Sequence, residues 1–203
     1  MDLKFDYEEK KMTSKIGRKD VLFFIIASIL VIGAAFAITT FVLEKTRVVG
    51  VSMEPILNEN DKIIINKAAY LLKKPDRFDV IVFKKDDTEH KYYSVKRVIG
   101  LPGEKIKILD GIVYINGEKL TEKLKLDSII SAGLAEEELQ LEKDEFFVLG
   151  DNRNQSEDSR YASIGIISKK DIIGKAWLRI APSFDFVDML TIPEENTHGE
   201  EEK

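Results

Sequence analysis

The longest feature of the hydrophobic pattern is an uncharged run over residues 21–43, VLFFIIASILVIGAAFAITTFVL. As an α-helix these 23 residues would measure roughly 34 Å, enough to cross a hydrocarbon core of about 30 Å. The run is also longer than the apolar core of a cleaved signal peptide, which spans about 7–15 residues. We therefore predict one uncleaved transmembrane anchor over 21–43. A buried core helix and a signal peptide cut near Ala34, Ala35 and Ala37 are the alternatives.

Positive charge is heavier before this run than after it. The segment over 1–20 carries a group of basic residues, which includes Lys10, Lys11, Lys15, Arg18 and Lys19. The segment after the run begins with Lys45 and Arg47. Since cytoplasmic flanks carry the excess of Lys and Arg, we predict a single pass through the cell membrane. Residues 1–20 would then be cytoplasmic, and 44–192 would form an extracytoplasmic domain.

Short runs rich in Ile, Val, Phe and Tyr predict β-strands beyond residue 47. These runs cover 62–67, 78–85, 92–100, 105–109, 112–116 and 145–150. Residues 170–181 predict a last strand or two. The pattern as a whole predicts a mostly antiparallel β ectodomain behind one N-terminal transmembrane helix.

Two dipeptides predict tight hairpins in this region. Asp110-Gly111 and Asn116-Gly117 suit type I′ turns, whose two central positions need φ > 0. They indicate a small β insert over about 105–145, in which residues 128–142 form a short helix or a loop. The acidic tail over 193–203 lacks aromatic residues, and we expect it to be disordered.

Composition narrows the chemistry. The formal charge of −5 does not suggest nucleic-acid binding. The absence of cysteine from the sequence excludes disulfides, zinc–thiolate sites and a cysteine nucleophile. A length of 203 residues suggests one domain with a small appendage.

Ser52 is a candidate nucleophile in the apolar stretch VVGVSMEPIL, residues 48–57. A serine nucleophile needs a base, and the chain has only two histidines, His90 and His198. Lysine takes this role in Ser-Lys variants of the catalytic triad, provided that its amine is neutral. Because free lysine titrates near 10.4, such a lysine must be desolvated or lie near other cations.

The stretch YYSVKRVIG, residues 92–100, offers Lys96 as that base. If the stretch is a strand, its side chains alternate in direction, and β-branched residues occur on both faces. Lys96 is therefore a candidate for burial. From this stretch alone, an ordinary exposed strand lysine is the favoured interpretation.

A third stretch, VLGDNRNQSEDSRYASIG over 148–165, concentrates polar side chains after an apolar strand. They are Asp151, Asn152, Arg153, Asn154, Ser156, Asp158, Ser159 and Arg160. Alone, the stretch fits a solvated turn with local hydrogen bonds. The functional interpretation is a polar network around a lysine and an arginine. Because a carboxylate would raise the pKa of a lysine base, we expect the carboxylates to pair with Arg97, Arg153 or Arg160.

The three stretches together resemble a known family. SMEP (52–55), KRVIGLPGE (96–104) and GDNRNQSEDSR (150–160), in this order behind the N-terminal run, resemble bacterial type I signal peptidases of peptidase family S26. The likeness is to Gram-positive-like members with a Ser-Lys dyad. It extends to about residue 182 and includes NDKIIINK (60–67) and RFDVIVFK (77–84). It implies a partly barrel-like signal-peptidase/LexA-like fold.

The resemblance assigns roles by position. Ser52 matches the nucleophile, Lys96 the general base, and Ser156 the serine that orients this lysine. The charged positions that brace the site are Asp151, Asp158, Arg97 and Arg160. The substrate-pocket positions are Val48, Met53, Leu57 and Val95. Gly50 stands where some members carry a serine that helps to bind the oxyanion, so this help must come from backbone N–H groups or water.

The implied function is removal of signal peptides from exported preproteins after small, A-x-A-like residues, by acyl transfer and without a metal or other cofactor. The implied partners are these signal peptides, membrane lipid and, as a further candidate, the secretion machinery, with no nucleic acid. The main alternative is a non-catalytic signal-peptidase-like assembly factor, for example in pilus building. The S-x-x-K signature of penicillin-binding proteins is absent from the sequence. LexA-like repressors would not need the anchor, and a tethered β adhesin leaves the motif order unexplained.

Overall fold

The computed structural model describes residues 17–84, 93–122 and 124–190. The chain forms two units, Met1–Thr39 and Thr40–Lys203. Both histidines, most of the predicted cytoplasmic segment and the predicted acidic tail lie outside the described residues.

One long helix dominates the first unit. Helix α1 spans Arg18–Ala37, and the Asp20 carboxylate accepts a hydrogen bond from the Gly17 N–H at 2.8 Å, which satisfies a donor at the helix N-terminus. Its side chains are mostly apolar, and nearly all of those described are exposed. Together with the π-helical turn Ile38–Val42, the helix is long and apolar enough to cross a membrane.

A strand begins at Leu43, the last residue of the predicted anchor. Strand β1, Leu43–Arg47, pairs antiparallel with β2, Lys62–Asn66. The hydrophobic pattern does not predict β1, because Leu43 is as apolar as the run before it. Only the pairing with β2 across the sheet marks where helix gives way to strand.

The second unit contains two antiparallel sheets. The remaining strands are β3 Val80–Phe83, β4 Ser94–Gly100, β5 Lys105–Leu109, β6 Ile112–Ile115, β7 Glu118–Lys119, β8 Leu139–Gln140, β9 Glu145–Leu149, β10 Ile167–Ser168, β11 Ile172–Ala181 and β12 Asp185–Phe186. The larger sheet has the order β1-β2-β11-β3-β4-β9-β10, with β12 beside β11, and the smaller has the order β7-β6-β5-β8. Register shifts along β11 and between β4 and β9 bend the larger sheet. This architecture confirms the prediction of a mostly antiparallel β fold.

The smaller sheet follows the local sequence pattern. Asp110, Gly111, Asn116 and Gly117 all have positive φ, between 50° and 84°, as type I′ turns require. The helix-or-loop stretch over 128–142 forms one short 3-10 turn, Gly133–Glu136, and then β8. An α-helix does not form through this point, since Gly133 has φ of 55° and lies against the Arg160 carbonyl.

The segment before β2 packs into the core of the larger sheet. Val48, Met53, Ile56 and Leu57 are buried in one apolar cluster with side chains of β2, β3 and β4. Burying an apolar side chain of this size stabilises the fold by roughly 1.5–3 kcal/mol. The turn that carries Ser52 is therefore fixed against the sheet.

Candidate active site

Ser52 lies in a tight turn held by its own backbone. The Glu54 N–H donates to the Val51 carbonyl at 3.1 Å, and the Leu57 N–H donates to the Met53 carbonyl at 2.9 Å. Met53 is fully buried, whereas Ser52 is half-buried. The turn thus anchors the methionine in the core and leaves the serine hydroxyl accessible.

Lys96 is the side chain that reaches this hydroxyl. It lies on β4 with 6% of its surface exposed, and its Nζ donates to Ser52 Oγ at 2.6 Å. Burial lowers the pKa of Lys96 to about 8. The negative charges of Asp158, Glu157 and Asp151 act in the opposite direction without cancelling the effect of burial. Within the described ranges, Lys96 forms no salt bridge with any carboxylate.

The carboxylates of the third stretch pair with arginines instead. Arg97 donates through Nε and Nη2 to the Asp151 carboxylate, each at 2.6 Å. Arg160 donates in the same way to Asp158, each at 2.8 Å. Both pairs are buried and bidentate, the geometry in which guanidinium binds carboxylate most strongly. Asp151 and Asp158 therefore each have a cation of their own, the Glu157 carboxylate accepts from the Ser163 hydroxyl, and Lys96 is left with a hydroxyl partner.

Ser156 lies in the site without the hydrogen bond that the resemblance implied. Its Oγ is buried and makes no hydrogen bond within the part of the chain that the structure describes. It lies so close to Gly150 that a Cβ at that glycine would come within 2.2 Å of Ser156 Oγ and within 2.4 Å of the Ser52 carbonyl oxygen. Gly150 is thus the position at which the end of β9 approaches the turn over residues 51–57, which we call the nucleophile turn after the predicted role of Ser52.

The four predicted pocket residues belong to one cluster. Val48, Met53, Leu57 and Val95 are each at most 6% exposed and pack together beside Ser52. They form part of the apolar core against which the turn that carries Ser52 packs, and little of their surface is exposed. Their role in binding substrate stays a prediction.

Gly50 and the neighbouring backbone define the rest of the turn. Gly50 has φ of 78°, a conformation that favours glycine over a residue with a side chain. Its N–H donates to Glu59 Oε1 at 3.3 Å. In this conformation the Gly50 N–H is already engaged and does not supply a free donor to an oxyanion.

Sequence reasoning missed the contacts of Asn152. This residue was grouped with the polar network, yet both its side chain and its backbone bind the nucleophile turn. The only sequence signal was its place directly after Gly150 and Asp151, at the end of a buried strand. Contacts between residues a hundred positions apart leave no local pattern.

A metal site does not emerge from the structure. Over residues 17–84, 93–122 and 124–190, no three His, Asp or Glu side chains are grouped to hold a metal ion.

Known proteins are similar in sequence to this chain over most of its length. The family model described as signal peptidase, peptidase S26, matches residues 21–181. A probable signal peptidase I-2 from Synechocystis is 38% identical over 73% of this chain and 67% of its own length. Signal peptidase I V of Bacillus subtilis is 36% identical over 75% of this chain and 94% of its own length. Signal peptidase IB of Staphylococcus aureus is 30% identical over 83% of this chain and 94% of its own length.

A solved structure is also similar in sequence. The crystal structure of a signal peptidase I from Enterococcus faecalis is 33% identical and covers 51% of this chain and 97% of that chain, with a TM-score of 0.41. At this TM-score the superposition carries no weight of its own, and the family follows from the sequence matches.

Proposed function

Because the chain belongs to the S26 family of signal peptidases and is an enzyme of type I, we propose that it cleaves signal peptides with a Ser52–Lys96 dyad. The observation that carries the dyad is the 2.6 Å contact between Lys96 Nζ and Ser52 Oγ. This contact joins a buried lysine to a hydroxyl. Among the described residues, no carboxylate forms a salt bridge with this lysine. Because burial lowers its pKa to about 8, this amine loses its proton at a much lower pH than a free lysine and becomes a base.

The mechanism is acyl transfer in two halves. Neutral Lys96 takes the Ser52 proton while Ser52 Oγ attacks the carbonyl carbon of the scissile peptide. The tetrahedral intermediate collapses as Lys96 gives this proton to the leaving amine, which releases the mature protein. Lys96 then takes a proton from water, the hydroxide attacks the acyl-enzyme, and Ser52 leaves with the proton returned to its oxygen.

The substrate class follows from the apolar cluster beside Ser52. Small side chains at the first and third positions before the cut would lie against Val48, Met53, Leu57 and Val95, in keeping with an A-x-A-like sequence. Because all four side chains are apolar, none of them offers a charge or a hydrogen bond to a polar substrate side chain. Cleavage after small residues is therefore the specificity that we propose.

The position of the helix in the sequence supports action at a membrane. Helix α1 and the turn after it end at Val42, ten positions before Ser52. We propose that 21–43 anchors the enzyme in the cell membrane, with the N-terminus in the cytoplasm and the catalytic unit outside. Membrane lipid and the signal peptides of preproteins are then its direct partners, and the secretion machinery is a further candidate.

The test is cleavage of a preprotein that carries an A-x-A site by the purified, detergent-solubilised protein. Wild type, Ser52→Ala and Lys96→Ala are compared, and the new N-terminus of the product is read by mass spectrometry. We expect cleavage at the site by wild type and a loss of at least about a thousandfold in each variant. A folded Ser52→Ala variant that cleaves at full rate would contradict the dyad. Failure of folded wild type with several preproteins would favour the assembly-factor alternative.

A further inference from the structure

We propose that Asn152 is a positioning residue that orients the Ser52 N–H toward the oxyanion of the transition state. This inference rests on the proposed function, since it assigns Asn152 to the same acyl-transfer site. Asn152 does not touch the reacting hydroxyl. It acts on the two peptide groups on either side of the Ser52 Cα.

The contacts of Asn152 hold both of these peptide groups. Its side-chain Nδ2 donates to the Val51 carbonyl at 3.2 Å. Its backbone N–H donates to the Ser52 carbonyl at 3.0 Å. The Val51 carbonyl belongs to the peptide group that precedes the Ser52 Cα, and the Ser52 carbonyl belongs to the one that follows it. A single residue, Asn152, which follows the end of β9, therefore fixes the backbone on both sides of the nucleophile.

Peptide geometry converts the first contact into a direction for the Ser52 N–H. The Val51 C=O and the Ser52 N–H lie in one rigid trans peptide plane and point in opposite directions. Holding the carbonyl oxygen toward Asn152 therefore turns the N–H to the opposite face of the turn. Within the described residues the Ser52 N–H makes no hydrogen bond, so it is free to donate to an oxygen that gains charge during acyl transfer.

The rest of the site holds Asn152 rigidly in this place. Asp151, its neighbour, is clamped by Arg97, and Arg97 follows the base Lys96 along β4. Gly150 has no Cβ, which allows β9 to approach the Ser52 carbonyl closely. The strand of the base and the turn of the nucleophile are thereby joined through a frame of three residues, 150–152. The frame sets the N–H donor and the base in one fixed relation.

The expected effect is on turnover rather than on binding. Removing an oxyanion donor lowers kcat by roughly a hundredfold to a thousandfold. Asn152→Ala leaves the donor in place and only loosens its direction, because Glu54 still binds the Val51 carbonyl. We therefore expect kcat to fall by about tenfold to a hundredfold, with KM within about twofold, since the oxyanion exists only in the transition state.

The experiment compares Asn152→Ala with Asn154→Ala in the full-length, detergent-solubilised enzyme. Asn154 is a matched control two positions further on. Its amide donates to the Ser128 carbonyl and accepts from the Ile130 N–H, each at 3.0 Å, and does not contact the nucleophile turn. Steady-state cleavage of the A-x-A preprotein gives kcat and KM over a range of pH. A peptide aldehyde that forms a tetrahedral adduct with serine gives a second readout.

Three results together support the inference. Asn152→Ala loses kcat, its apparent pKa near 8 does not move, and its affinity for the aldehyde falls by a factor similar to that in kcat. Asn154→Ala changes none of these by more than about twofold. An unchanged pKa shows that the environment of Lys96 is intact, so the lost rate comes from weaker oxyanion stabilisation. A merely structural role of Asn152 would disturb Lys96 as well and move this pKa.

A folded Asn152→Ala enzyme with kcat within about twofold of wild type would overturn the inference. If that variant does not fold, Asn152→Asp answers the same question, because a carboxylate has the same size and cannot donate. Because the added carboxylate raises the pKa of Lys96, the variant is assayed up to about pH 11 and the kcat of its plateau is compared with that of wild type. Wild type and Ser52→Ala are run in parallel. A normal Asn152 variant beside an active wild type and an inactive Ser52→Ala refutes this inference alone, whereas an inactive wild type refutes the proposed function.

Discussion

Two lysines of the larger sheet occupy matching positions, but the pKa of one is lowered and the pKa of the other is raised. Lys96 on β4 and Lys175 on β11 both pair with Ile81 of β3, one on each side of that strand. Both side chains are largely buried, with Lys96 6% exposed and the Lys175 side chain 16% exposed. The two lysines therefore share a register position on β3, but Lys175 is less completely buried than Lys96, and the two differ in their partners.

The partners of Lys175 are carboxylates. Its Nζ lies 2.6 Å from Asp79 and 2.7 Å from Asp188. Burial acts to lower the pKa of Lys175, but the hydrogen bonds to Asp188 and Asp79 outweigh it, so that the pKa is raised. Lys96 has the Ser52 hydroxyl in place of a carboxylate, and burial lowers its pKa to about 8. Burial acts to lower the pKa of both lysines, and hydrogen bonds to carboxylates reverse its effect at Lys175, so a lowered pKa needs burial without a bonded carboxylate.

The same charge-preserving substitution at both lysines should have the largest difference in effect. Arginine keeps the positive charge but does not deprotonate in proteins, so it cannot act as a base. We expect Lys96→Arg to lose at least about a thousandfold in kcat/KM at every pH. We expect Lys175→Arg, which can still pair with Asp79 and Asp188, to stay within about threefold of wild type. Cleavage of the A-x-A preprotein by the two folded variants measures both effects.

The outcome distinguishes a base from a cation that only holds the fold. An active Lys96→Arg enzyme would mean that the site needs only a positive charge beside Ser52, and the dyad would be wrong. Equal losses in the two variants would mean that the arginine side chain disturbs the sheet itself. Circular dichroism of each variant identifies that case.

The pH dependence of cleavage should also differ in its response to the two lysines, with a smaller change in rate. In the proposed mechanism only neutral Lys96 accepts the Ser52 proton, so kcat/KM should rise with pH and level off above about 8. Two pH units below the midpoint, about one hundredth of the plateau activity should remain. Lys175→Arg should show the same midpoint, since Lys175 is not the base. A profile that stays flat from about pH 6 to about pH 10 would count against Lys96.

The local parts of the fold were predictable from the sequence. The two hairpins of the smaller sheet follow from Asp-Gly and Asn-Gly, because a type I′ turn is decided by its two central residues. Strand β1 and the pairing of β11 between β2 and β3 were not predictable in this way. They depend on contacts between distant segments, and a pattern of apolar residues does not name the partner strand.

The properties of the two lysines also depend on contacts between distant residues and not on the local sequence. Around Lys96 and around Lys175 the sequences SVKRVIG and IIGKAWLRIA are both apolar strands with one lysine among β-branched or small residues. What separates the two lysines is Asp79, which is 96 positions from Lys175 in the chain. Ser52 and Lys96 were predicted because three motifs together resemble a family. The contacts of Asn152 with Val51 and Ser52 span about a hundred positions and had no such signal.

Methionine at the two positions should change the free energy of unfolding in opposite directions. We expect this to be the smallest of the effects. Lys175→Met leaves Asp79 buried without its cation, which costs roughly 3–5 kcal/mol. Lys96→Met removes a charge that the fold holds at a cost. A pKa lowered from 10.5 to about 8 corresponds to on the order of 3 kcal/mol at neutral pH, offset by about 1 kcal/mol for the lost bond to Ser52.

The pH dependence of this stability difference identifies its cause. The unfolded chain holds the Lys96 proton more tightly than the folded protein does, so wild-type stability should rise with pH between about 8 and 10.5. The advantage of Lys96→Met should therefore be full below about pH 8 and disappear as the pH approaches 10.5. Melting temperatures of the two methionine variants and wild type, at pH 7 and near pH 10.5, measure it as a shift of several degrees. A Lys96→Met variant less stable than wild type at pH 7 would mean that the buried amine stabilises the fold, and that the two lysines differ less than their partners indicate.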